Sequence, residues 1–170
     1  IATGARAWVP PIEGLDETGY LTNETVFSLT ERPDRFAVIG GGPLGCELAQ
    51  AFHRLGSRVA LLQTGSHLLE REDDDAAEIL QTGFLEEGIQ LILNAKARRV
   101  SRTGEGKIVT YEVHGVEHQI LVDEILIAAG RAPNVEGLGL EAAGVDYDTK
   151  AGVIVNDNLR TTNPRIYAVG

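Results

Sequence analysis

The stretch from Phe36 to Gln63, FAVIGGGPLGCELAQAFHRLGSRVALLQ, decides the fold. Phe36 to Gly40 is a short apolar run rich in β-formers that ends in glycines, which signals a strand. From about Leu44 to Leu55, the residues Leu44, Leu48, Ala51, Phe52 and Leu55 recur along one helical stripe, and Gly56 supplies a C-terminal stop. Arg58 to Gln63 is mostly aliphatic, as expected of a strand buried on both faces. These pieces form a βαβ unit, whose right-handed crossover feeds a parallel sheet.

Downstream, Asp73 to Glu87 carries Ala76, Ala77, Ile79, Leu80, Phe84 and Leu85 at helical spacing and stops at Gly88; Ile89 to Leu93 then reads as a third strand. The rhythm changes from Lys96 to Val122. Ala97 to Arg102, Lys107 to His114 and Val116 to Leu121 read as short strands joined by glycine-containing turns, an antiparallel meander in place of another helix. Glu124 to Ala128 returns as a buried strand ending at Ala129 and Gly130. Asn23 to Leu29 is expected to form one short helix before Pro33, and both ends of the chain, Ile1 to Gly14 and Gly152 to Gly170, look extended.

Composition excludes several classes. A formal net charge of −10 argues against a nucleic-acid partner, because phosphate binding needs a basic face. No apolar run approaches the roughly 20 residues of a membrane span, and no signal segment opens the chain, so a cytoplasmic location is expected. Cys46 is the sole cysteine, so neither a disulfide nor a dithiol redox pair forms within the chain. Asp73, Asp74 and Asp75 sit at a helix start, where the dipole favours carboxylates; adjacent side chains diverge, and no metal site is expected. The chain opens at Ile1 and contains no methionine, which reads as a piece of a longer protein.

Gly40, Gly42 and Gly45 satisfy G-x-G-x-x-G between a strand and a helix. Gly40 is suited to the tight turn, Gly42 to close approach of a pyrophosphate, and Gly45 to helix-on-strand packing. The amides at the helix start, around Pro43 and Leu44, complete an anion site. Nucleotide choice is written at the end of the second strand, where an acidic side chain accepts ribose hydroxyls and repels a 2′-phosphate. Gln63 stands there, so that veto is missing; Thr64, Ser66 and His67 offer donors, with Arg71 the nearest downstream arginine. The reading leans slightly towards NADPH. Cys46, beside the loop, reads as a small packing residue, although a helix N-terminus tends to lower a thiol's pKa.

Four tracts occur in order: Ile1-Ala2-Thr3-Gly4; Gly40 to Gly45 with Glu47; Ala128-Ala129-Gly130-Arg131-Ala132-Pro133-Asn134; and Thr161 to Gly170. Together they resemble the class I pyridine nucleotide-disulfide oxidoreductases, and Tyr20 to Leu29 with Gly40 to Phe52 is most similar to the mercuric-reductase-like branch. The resemblance implies an α/β fold: a Rossmann-like, three-layer NAD(P)-binding domain with a parallel sheet and a small antiparallel meander, flanked by remnants of an FAD domain. It assigns residues 1–14 to the end of an FAD-domain segment, 15–129 to the NAD(P) domain and 130–170 to the return into the FAD domain.

It further implies that NAD(P)H passes a hydride to FAD, and electrons then go to a disulfide or another acceptor, in a homodimer with further FAD and dimerisation domains. Glu47 matches the family's acidic residue facing the nicotinamide or the flavin-side lysine; it also suits an ordinary carboxylate of the first helical turn. Ala129, Gly130 and Arg131 are placed near the nicotinamide end. The redox cysteine pair and the His-Glu acid-base pair of the family are absent, so no catalytic residue is named and the isolated chain is expected to be inactive. A stand-alone nucleotide-binding or sensing module is the alternative; it leaves the flavin-type flanking segments unexplained.

Overall fold

After a short strand β1 (Ala5–Ala7) and one helical turn α1 (Leu15–Thr18), the chain enters the segment that governs its topology as β2 (Arg35–Ile39), α2 (Pro43–Arg54) and β3 (Arg58–Leu62). The computed structural model describes residues 1–169, so the final glycine of the Thr161 to Gly170 tract lies outside the described residues. It continues through α3 (Asp74–Glu87), β4 (Gln90–Ile92), β5 (Ala95–Thr103), β6 (Gly106–Val113), β7 (Val116–Val122) and β8 (Glu124–Ile127). Two units emerge: Val9–Gly130, and Ile1–Trp8 with the chain from Arg131 onward.

In the larger unit the four parallel strands run in the order β4-β3-β2-β8. Phe36 to Ile39 and Val59 to Leu62 are buried along their whole length, because side chains that alternate across a strand are covered on both faces here. Phe36, Val38, Val59, Leu61 and Leu126 pack with Cys46, Leu48, Ala49 and Phe84 from the helices. The alternate residues Ala37, Ile39, Ala60, Leu62, Ile125 and Ile127 pack with Val100, Val109, Tyr111 and Val122 from the meander. Helices, parallel sheet and antiparallel β5-β6-β7 sheet therefore form the three layers expected. The β6–β7 hairpin turns on His114 and Gly115, both at positive φ, the conformation that two-residue hairpins favour.

The expected helix from Asn23 to Leu29 is not formed. A single 3-10 turn, Val26–Ser28, replaces it. Thr22 and Thr25 spend their hydroxyls on local backbone amides, a pairing that competes with a helical ladder. The helical turn α1 was not foreseen; Gly14 and Gly19, at φ +72° and +79°, bound it.

In the smaller unit, β1 pairs antiparallel with β9 (Arg131–Pro133), and β10 (Tyr147–Asp148) with β11 (Gly152–Val153). Val135, Leu140 and Val145 form its own small core. From Ile154 to Val169 no strand forms, and turns, bends and irregular backbone are tied by one isolated antiparallel bridge between Arg160 and Tyr167. No described helix is long and apolar enough to cross a membrane.

Candidate functional site

The strand order reverses at β2: the chain steps outward through β3 and β4, then returns to β2's other edge as β8. In open parallel sheets the crevice outside the carboxyl ends at such a reversal is where ligands bind. The glycine loop occupies this crevice, and its four glycines differ in their surroundings.

Gly40 has φ +116°, and a Cβ there would lie 2.3 Å from the carbonyl oxygen of Ala128. A Cβ on Gly45 would lie 1.9 Å from the carbonyl oxygen of Gly40, so α2 rests directly on the end of β2. Both positions need glycine for the fold itself. Gly41 is enclosed too, since its Cβ would meet Leu68 Cδ2 at 2.6 Å. Gly42 differs. Its φ of −76° suits any residue, and a Cβ there would meet nothing within 4 Å. Nothing inside the chain demands glycine at position 42.

Gly42 caps α2 without a side-chain hydrogen bond, and Pro43, at the first helical position, has no N–H to satisfy. The amides of Gly42, Leu44 and Gly45 have no partner among the described residues; the first helical bond is donated by the Cys46 amide to the Gly42 carbonyl. Unpartnered donors at the positive end of a helix dipole, next to a glycine whose Cβ position is empty, form an arrangement suited to an anionic phosphate.

Gln63 is buried, and its Oε1 accepts the Gly41 amide at 2.8 Å. Its side chain therefore holds the loop as well as marking the end of β3. Thr64 and Ser66 are exposed beside it. Glu47 is exposed and lies beyond the first turn of α2, which contains no acidic residue. Ala129 is half-buried at the end of β8 and packs on the sheet core, and Gly130 follows at φ +132°. Arg131 belongs to the smaller unit, where its guanidinium donates to the Ala5 carbonyl at 3.2 Å. Cys46 is buried, and desolvation aided by the Glu47 charge pushes its thiol up to about 11, so the packing reading holds and the helix terminus does not activate it.

Sequence reading missed the connection between β3 and α3. Leu69 donates its amide to the Gly41 carbonyl at 2.8 Å, and Leu68 is fully buried against the loop. The apolar pair Leu68-Leu69 within a polar stretch was the available signal. A surface depression lined by Glu141, Val145, Tyr147 and Ile154 lies in the smaller unit and includes none of these residues.

The chain is 42% identical over 170 residues to a mercuric reductase of Staphylococcus aureus, covering all of this chain and 31% of that protein. It is 36% identical to a dihydrolipoyl dehydrogenase of Bacillus subtilis, covering 36% of it. Among solved structures, the HOCl-induced flavoprotein disulfide reductase RclA from Escherichia coli superposes with a TM-score of 0.89 at 36% identity, over 99% of this chain and 38% of that one. The chain thus spans about a third of the length of the curated relatives it matches. The family model for pyridine nucleotide-disulphide oxidoreductases matches residues 1–170, and the chain belongs to that family.

Proposed function

We propose that the larger unit binds the pyrophosphate of NAD(P)H on the amides of Gly42, Leu44 and Gly45. The observation that carries this reading is the open space over Gly42 beside three unpartnered amides. Glycine there has no role in the fold, and close approach of a phosphate supplies one. Gly40, Pro43, Glu47, Gln63, Thr64, Ala129 and Gly130 border the same crevice by sequence or contact, and Arg131 is assigned to the nicotinamide end by resemblance.

Bound in the whole protein, NAD(P)H would supply a hydride to FAD, whose electrons would then go to a disulfide or another acceptor. This chain's own residues hold and orient the nucleotide. Residues 15–129 form the NAD(P) domain, and 1–14 with 130–170 belong with a flavin domain. The whole enzyme is a homodimer, as the family resemblance implies, its location is the cytoplasmic one expected from composition, and the chain alone sustains no NAD(P)H oxidation.

Calorimetric titration of the chain with NADH and NADPH tests the site. Saturable binding that is lost in Gly42→Leu, with thermal stability retained, is the expected result. Unchanged affinity in that variant overturns the proposed pocket.

A further inference from the structure

Gln63 leaves the end of β3 without the acidic group that repels a 2′-phosphate, yet a carboxylate stands close by. The side chain of Glu70 folds back over the α-carbon of Gly65: a Cβ on Gly65 would lie 1.5 Å from Glu70 Oε1, 2.6 Å from Cδ and 3.2 Å from Cγ. Only glycine admits the carboxylate there. Gly65 itself is anchored, since its carbonyl accepts the Asn94 amide at 2.9 Å. The connection that carries Glu70 is tied to the glycine loop through Gln63, Leu68 and Leu69.

We infer that Glu70 takes the part of the missing strand-end acid, disfavours a 2′-phosphorylated ribose and makes NADH the preferred nucleotide. This reverses the lean that Gln63 alone suggests, and it rests on the proposed nucleotide site. The surrounding groups agree. Gln63 Oε1 is engaged by the Gly41 amide. His67 is turned to its own connection, with Nδ1 2.7 Å from the Leu68 carbonyl and Nε2 3.7 Å from Asp74 Oδ1. Arg71 is exposed and has no ion pair among the described residues, but Glu70, Glu72 and Asp73 surround it in sequence, leaving the connection net negative.

The test is titration of the full chain and its Glu70→Gln and Arg71→Gln variants with NADH and NADPH. The unaltered chain is expected to bind NADH more tightly. In Glu70→Gln, NADPH affinity should rise about tenfold, the scale of repulsion between neighbouring like charges in a water-exposed site. NADH affinity should not rise in parallel, and a Tm within about 2 °C of the unaltered chain's, as expected for a substitution at an exposed position, shows that the variant folds. Tighter NADPH binding by the unaltered chain, or an unchanged NADPH-to-NADH ratio in Glu70→Gln, overturns this inference while leaving the nucleotide site intact. So does a selective loss of NADPH affinity in Arg71→Gln, which puts the phosphate on that arginine. Binding of neither nucleotide overturns the site itself, and this inference with it.

Discussion

Gln63 Oε1 and the amide of Gly41 form a buried hydrogen bond of 2.8 Å that fastens the glycine loop to the end of the neighbouring strand. Replacing Gln63 with Leu strands a buried N–H, which costs about 1–3 kcal/mol. The expected outcome is a lower Tm together with weaker nucleotide affinity. Gln63→Glu keeps an acceptor and should retain most of the stability. Denaturant unfolding of the two variants distinguishes them, and equal stability would count against a holding role for this side chain.

Gly45 and Gly42 separate folding from binding. In Gly45→Ala the new methyl would meet the Gly40 carbonyl at 1.9 Å, a backbone atom that has little room to yield. Overpacking of this kind costs about 1–3 kcal/mol. Gly42→Ala meets nothing within 4 Å, so its stability should stay within about 0.5 kcal/mol while nucleotide affinity drops. Thermal melts paired with titrations check both halves of the contrast.

Lys107 is a buried cation on β6, its Nζ donating to the Gly19 carbonyl at 2.8 Å and to Glu124 Oε2 at 2.6 Å. Glu124 is about one-third exposed, so water softens the loss of its partner. Lys107→Ala is expected to destabilise the larger unit by about 2–3 kcal/mol, near the lower end for a broken buried pair. Urea midpoints read the effect; a shift no larger than that of an ordinary surface substitution would contradict it.

Acid should weaken the fold through Asp123 and Glu87. The hydrogen bonds from the Arg35 side chain hold the Asp123 carboxyl below its ordinary 3.8, against the opposing effect of partial burial. Arg54 does the same for Glu87, below 4.5. A depressed folded-state pKa gives stability that is complete above the unfolded value and is lost as pH falls through the folded one. The loss therefore begins near pH 4 and continues downward. Asp123→Asn should lower stability at neutral pH and flatten this acid limb, as a pH series of urea midpoints will show.

The thiol of Cys46, raised to about 11 by burial, should resist alkylation at pH 8 in the native chain and react fully in denaturant. Rapid labelling of the folded chain would contradict its burial on the sheet-facing side of α2.

Much of this was legible without coordinates. Strand ends, helix stripe and glycine spacing in Phe36 to Gln63 are local signals, and a βαβ crossover has one favoured hand, so the sheet follows from them. The meander was legible from its alternation and turns. The short helix at Asn23 to Leu29 misled, because threonine side chains captured the amides a helix would use.

Within the candidate site, residue types alone identified the glycine loop and the strand-end position of Gln63. Only tertiary structure showed which glycines serve packing and which leaves space: Gly45 is pressed on Gly40 and Gly42 is not, although both are glycines of one motif. It alone turned Gln63 inward and brought Glu70 back over Gly65, since contacts across a loop depend on how Leu68 and Leu69 are buried and not on spacing along the chain.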